Sequence, residues 1–166
     1  MNEVSVRCSS ENDISAIQKI YEYEVLNGTS TFDKVPPDEK AILEKRKMIL
    51  DQNFTHLVAE IDGEVVGYSY VSLYRERSAY SKTVENAIYI SPGYRDKGVA
   101  TALMKALLPI CEEIGLKQII AVVGDSDNQG SIKLHENFSF RKVGILEKVG
   151  FKFNRWVNVV LMQKSL

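Results

Sequence analysis

The stretch YISPGYRDKGVATALM, residues 89–104, constrains the fold more than any other part of the chain. An apolar, strand-like run gives way at Pro92 and Gly93 to a basic turn, and the turn leads into a strongly helical sequence. A strand ending at Ile90 and a helix beginning near Asp96 leave free backbone N–H groups and the positive end of a helix dipole at the turn. That combination suits a phosphate. Gly98 lets an anion come close to the backbone. Ala100 and Thr101 keep the first turn small, and Arg95 can add a charge-assisted contact to a phosphate oxygen. The bland reading of the same residues is a connection whose glycine only relieves strain.

The rest of the chain alternates element types. Val4, Val6 and Cys8 alternate as a strand. Ser10–Asp13 fits a capping pattern ahead of Ile14, Ile17, Tyr21 and Val25, whose spacing gives one apolar helical face. Two prolines and two acids precede a second amphipathic helix in VPPDEKAILEKRKMIL. Two β-rich runs meet at Asp62-Gly63, a strong hairpin signal. SKTVENAIYI is a further strand. Val99, Leu103, Leu107, Ile110 and Ile114 mark the helix after the turn, with Pro109 expected to kink it or end it early. LKQIIAVV reads as a buried strand, NQGSIKLHENF as a short helix, and residues 140–163 as a closing antiparallel pair. The order is roughly β-α-α-β-β-β-α-β-α-β-β, a mixed sheet flanked by helices.

Composition removes several function classes. The chain has 166 residues, 45% of them hydrophobic, which suits one domain with a substantial core. Twenty-one basic residues against 22 acidic ones, with no long basic block, argue against nucleic acid as a partner. The first thirty residues carry Glu3, Glu11 and Asp13 and no signal-like apolar run, so no membrane association and a cytoplasmic location are expected. Cys8 and Cys111 lack metal-ligand spacing, and only His56 and His135 could join them. No metal is expected, and both cysteines read as buried thiols.

RDKGVA at 95–100, following a strand, resembles the acetyl-coenzyme-A motif of the GNAT N-acetyltransferase superfamily, and the element order is similar as well. NGTSTFD (27–33), AYSKTVENAIYIS (79–91), NQGSIKLHENFSF (128–140) and VGFKFNRWVNVVLMQ (149–163) resemble the phosphinothricin and methionine-sulfoximine branch. The likeness covers nearly the whole chain. Ser139 departs from it, standing where the family usually has glycine. The resemblance implies an α+β (mixed α/β) GNAT fold over residues 1–166 as a single domain. Its central, mostly antiparallel twisted sheet would have about seven strands, splayed at the middle strands and flanked by about four helices. It also implies acetyl-CoA as co-substrate and a homodimer.

Acetyl transfer requires a neutral amine, yet even a peptide α-amino group, with a pKa of about 8, is mostly protonated at neutral pH. Glu85, on an otherwise apolar strand, faces either solvent or a cleft. In similar enzymes this glutamate is the proposed general base, acting directly or through water. The resemblance places acetyl-CoA against Ile88, Tyr89 and Ile90, whose strand would splay from its neighbour and leave backbone groups for the pantetheine arm. An N–H near Ile90 could stabilise the oxyanion. The diphosphate would lie on Arg95, Asp96, Lys97, Gly98, Val99, Ala100 and Thr101, with Asn128, Ser131 and Asn137 along the arm. Asn128 is also a natural N-cap. His135 is either the proton donor to the leaving thiolate or structural.

Arg75 and Arg77 occupy alternate positions, so on an extended segment their guanidinium groups would converge on one carboxylate or phosphinate; the alternative is a solvated loop. Phe32, Ala79, Tyr80 and Trp156 complete the candidate acceptor pocket, although a lone Trp is also a common core residue. Three functions fit. They are acetylation of the α-amine of small amino-acid-like substrates such as phosphinothricin, methionine sulfoximine or methionine sulfone; acetylation of a peptide N-terminus or other antibiotic amine; and acetyl-CoA sensing without turnover.

Overall fold

Seven strands and four α-helices follow one another in the expected order in the computed structural model, which describes residues 3–166. The strand β1 (Ser5–Cys8) leads to helix α1 (Ile14–Asn27), where the Asp13 carboxylate accepts the Ser10 backbone N–H at 2.6 Å. Helix α2 (Glu39–Asp51) starts on the Asp38 side chain, which accepts the Ala41 N–H at 2.8 Å. Strands β2 (His56–Ile61) and β3 (Glu64–Leu73) turn through Asp62 and Gly63, both at positive φ, as a two-residue hairpin requires. Next come β4 (Thr83–Ile90), α3 (Val99–Glu113), β5 (Gln118–Gly124), α4 (Gln129–Asn137), β6 (Arg141–Lys152) and β7 (Arg155–Ser165).

The sheet order is β1-β2-β3-β4-β5-β7-β6, antiparallel throughout except for the β4–β5 pair. One face carries α3, whose Val99, Leu103, Met104, Leu107 and Cys111 are buried against Val66, Val84 and Ile119. The other carries α1 and α2, with Ile17, Val25, Ile42 and Ile49 packed on Val58, Tyr68 and Tyr70. Each fully buried aliphatic side chain contributes about 1.5–3 kcal/mol.

Three local expectations are corrected, and Ser139 keeps the backbone angle of the glycine it replaces. Helix α3 begins at Val99 rather than near Asp96, because Asp96 and Gly98 both take left-handed backbone angles, φ 59 and 80. It then runs through Pro109 to Glu113. Pro109 and Lys105, whose carbonyl loses its partner, both lie on the exposed side, where water can replace the missing bond. Cys8 is exposed at the end of edge strand β1; Cys111 is the buried thiol. Ser139 adopts φ 64, the left-handed angle a glycine would take, at a cost of about 1 kcal/mol.

Candidate active site

The parallel strands separate midway. Their register runs from Thr83↔Gln118 to Glu85↔Ile120 and stops, while β4 continues to Ile90 on β3 and β5 continues to Gly124 on β7. Backbone groups of β4 beyond Glu85 that face β5 therefore lack a strand partner. A cleft of about 1020 Å³ fills the opening, lined by residues 85–90 of β4 and residues 121–124 of β5, with α4 and the start of α3 at its sides.

At the α3 end, Arg95, Asp96, Gly98, Val99, Ala100 and Thr101 line this cleft. A Cβ on Gly98 would meet no protein atom within 4 Å, so the glycine answers the left-handed backbone, and the space above it is open to a ligand. Lys97 does not line the cleft; its ammonium lies 4.9 Å from the Tyr94 ring centroid. The Arg95 guanidinium bonds the buried Glu24 carboxylate, linking α1 to the turn.

On α4, Asn128 caps the helix by accepting the Ser131 N–H at 3.2 Å, and Asn128, Ser131, His135 and Asn137 all line the cleft. His135 is 5% exposed, and both ring nitrogens are engaged. Nδ1 lies 2.7 Å from the Ser131 carbonyl, which can only accept, so Nδ1 donates. In the neutral ring Nε2 then accepts from the Asn86 amide at 3.0 Å. Burial lowers the His135 pKa, against the opposing bond to Ser131. Asn86 Oδ1 is buried without a hydrogen-bond partner among the described residues.

Glu85 sits at the last paired position, half-buried on the cleft wall. Burial raises its pKa, while the charges of Arg75 and Lys45 pull it down. Lys45, from α2, and Tyr70, from β3, also line this end. Neither carries a sequence signal of a site. Lys45 belongs to an ordinary amphipathic helix and Tyr70 to an apolar strand. Asn86 is equally silent.

The acceptor residues expected from sequence are only partly assembled. Phe32 lines the cleft, with its ring over Gly150. Arg75, Arg77, Ala79 and Tyr80 are exposed and lie off the cleft wall, because the segment expected to be extended bends at 76–77 and turns at Ser78–Tyr80. Arg75 stacks 4.2 Å from the Tyr74 ring centroid, whose edge contact with Tyr80 spans 5.8 Å. Of these four, Arg75 acts electrostatically on Glu85. Trp156 is 60% exposed on the far side of β7, where it packs on Phe151 at 5.1 Å, so it does not wall the cleft. Its neighbour Val157 takes the inward position.

The sequence model described as Acetyltransferase (GNAT) family matches residues 17–140. A phosphinothricin N-acetyltransferase of Alcaligenes faecalis is 43% identical over 162 residues, covering 98% of this chain and 82% of that protein. An L-methionine sulfoximine/L-methionine sulfone acetyltransferase of Pseudomonas aeruginosa is 32% identical, covering 98% of this chain and 94% of its own. The crystal structure of a phosphinothricin acetyltransferase from Sinorhizobium meliloti, in complex with acetyl-CoA, superposes with a TM-score of 0.95 at 35% identity. That match spans 98% of this chain and 88% of that one.

Proposed function

The chain belongs to the GNAT family of acetyltransferases, and we propose that it acetylates the α-amine of small amino-acid-like molecules such as phosphinothricin, methionine sulfoximine or methionine sulfone, with Glu85 as general base. It is an acetyl-CoA-dependent N-acetyltransferase similar to enzymes named for those substrates. The observation that carries the finer reading is the position of Glu85, where β4 and β5 part. A carboxylate there stands at the head of the opened strand, with its pKa raised by burial toward the range useful for taking a proton.

The residues present fit the coenzyme. The unpaired edge of β4 offers backbone partners to the pantetheine amides, and the orphaned Asn86 Oδ1 offers an acceptor to one of their N–H groups. The turn at 95–101 offers backbone N–H groups to the diphosphate, with Arg95 available if it leaves Glu24. His135 has Nδ1 donating to Ser131 and Nε2 accepting from Asn86. This favours a role in orienting Asn86 and α4 over proton donation to the thiolate. The acceptor's acid group would lie near Lys45, which lines the cleft, with Arg75 acting from outside the wall as the other cation felt by Glu85.

We further propose one catalytic domain over residues 1–166, working as a homodimer in the cytoplasm. The edge strand β6 and its turn expose Val143, Ile145, Leu146, Val149, Phe151 and Phe153, an apolar surface of the kind subunit interfaces cover. No helix among the described residues is long and apolar enough to cross a membrane.

Thiol release from acetyl-CoA, measured with a panel of free amino acids, phosphinothricin and N-terminal peptides, tests the proposal. Release that depends on a small α-amino acid supports it. Release only with peptides favours a peptide acceptor, and binding without release favours a sensor.

A further inference from the structure

One wall of the acceptor end is the segment from Gly28 to Phe32, which has no regular secondary structure although every residue of it lines the cleft. Its position is fixed from outside, by the strands β5 and β6. The turn between β6 and β7 places Phe153 and Asn154 at positive φ, 51 and 56. Lys152, the last residue of β6, alternates with the outward Phe151 and so points inward, 3% exposed, on the same face as Gly150. Its ammonium donates to the Gly28 carbonyl at 2.7 Å and the Thr31 carbonyl at 2.9 Å, with a longer contact to the Glu24 carbonyl at 3.4 Å. An ammonium has three donors, and this one spends them all on the end of α1 and the segment after it. Those carbonyls include the negative end of the α1 dipole, which suits a cation.

Two glycines press on the same segment. A Cβ at Gly150 would fall 2.3 Å from the Phe32 ring, and one at Gly124 would fall 2.0 Å from the Thr29 carbonyl oxygen. The segment therefore lies flush on β5 and β6, with Lys152 gripping it from beneath.

We propose that Lys152 is a positioning residue for the acceptor: by holding the Gly28 and Thr31 carbonyls, it fixes Thr31 and Phe32 at the spacing an amino-acid-sized acceptor needs opposite Glu85. The inference rests on the reading of this cleft as an acetyltransferase site. Losing the ammonium leaves two half-buried carbonyls without their partner, so the segment relaxes toward water. The coenzyme turn meets this anchor through Glu24, whose carboxylate bonds Arg95, and the contact of Lys152 to Glu24 is the longest of its three, so that end should be less affected.

The test compares wild type with Lys152→Met and Gly150→Ala, which disturb the segment from two separate points on the inward face of β6. Each variant should raise acceptor KM by about 10-fold or more, with kcat reduced less than about 3-fold and acetyl-CoA Kd within about 2-fold. The double variant should be little worse than the stronger single one, because both act on one segment. Amide hydrogen exchange should quicken at residues 28–33 in Lys152→Met and stay unchanged in α3. A lowered Tm with unchanged acceptor KM and unchanged exchange at 28–33 would overturn the proposal, as would equal losses of acceptor and acetyl-CoA affinity. If Lys152→Met does not fold, Gly150→Ala supplies the same readouts. If wild type acetylates no amine, the functional reading fails, and exchange at 28–33 still decides whether Lys152 holds the wall.

Discussion

The two ends of the cleft are built in opposite ways. The proposed coenzyme end is mostly local: the end of β4, the turn at 95–98 and the first turn of α3 would supply it from about fourteen consecutive residues. The proposed acceptor end is assembled from far apart, with Phe32 after α1, Lys45 on α2, Tyr70 on β3, Glu85 on β4 and the supports Gly124, Gly150 and Lys152 on β5 and β6. A local site binds a ligand with backbone that the fold must form in any case. A dispersed site can change its acceptor through single side chains, with the coenzyme end left intact.

The largest effect that would break this separation lies at Glu85. Glu85→Gln should lower kcat by about 100-fold or more, measured as amine-dependent thiol release; unchanged turnover would remove Glu85 from the mechanism. Gly98→Val tests the other end. A β-branched side chain disfavours φ 80 and covers the space above the turn, so acetyl-CoA Kd should rise by about 10-fold or more, with acceptor KM nearly unchanged. A matching rise in acceptor KM would mean that the two ends are coupled.

A subtler effect concerns pH. As the proposed base Glu85 must be ionised to act, so its pKa should set an acidic limb in kcat/KM, above the usual carboxylate range because burial raises that pKa. Lys45 holds the pKa down, and Lys45→Met should therefore move the limb to higher pH. The titration of the free substrate amine cannot move with this variant, so a stationary profile would assign the limb to the substrate. The smallest effect is at Ser139, remote from both ends in role. Ser139→Gly relieves the left-handed angle and should stabilise the fold by about 0.5–1 kcal/mol in denaturant unfolding, with kinetics unchanged.

The same contrast explains what could be read from the sequence. The strand, turn and helix around Gly98 were legible because the motif is contiguous and its chemistry is backbone chemistry. The Asp62-Gly63 hairpin was legible for the same reason. The helix start was misplaced by three residues, since nothing in RDKG announces that Asp96 joins Gly98 at positive φ. Trp156 looked like a pocket wall, but its position relative to the inward Val157 turns it away from the cleft. Arg75 and Arg77 were expected to converge, and the bend at 76–77 prevents the simple alternation that expectation used. Lys45 and Lys152 were invisible because a lysine on an amphipathic helix or a polar-patterned edge strand normally faces water. Only the packing shows that one of them lines the cleft and the other is buried on carbonyls.

Calorimetric titration of acetyl-CoA into wild type, Glu85→Gln and Gly98→Val, side by side, tests the separation of the two ends most directly. The predicted result is one Kd shared by wild type and Glu85→Gln, with weaker binding in Gly98→Val alone. Binding weakened as much by Glu85→Gln as by Gly98→Val would contradict it.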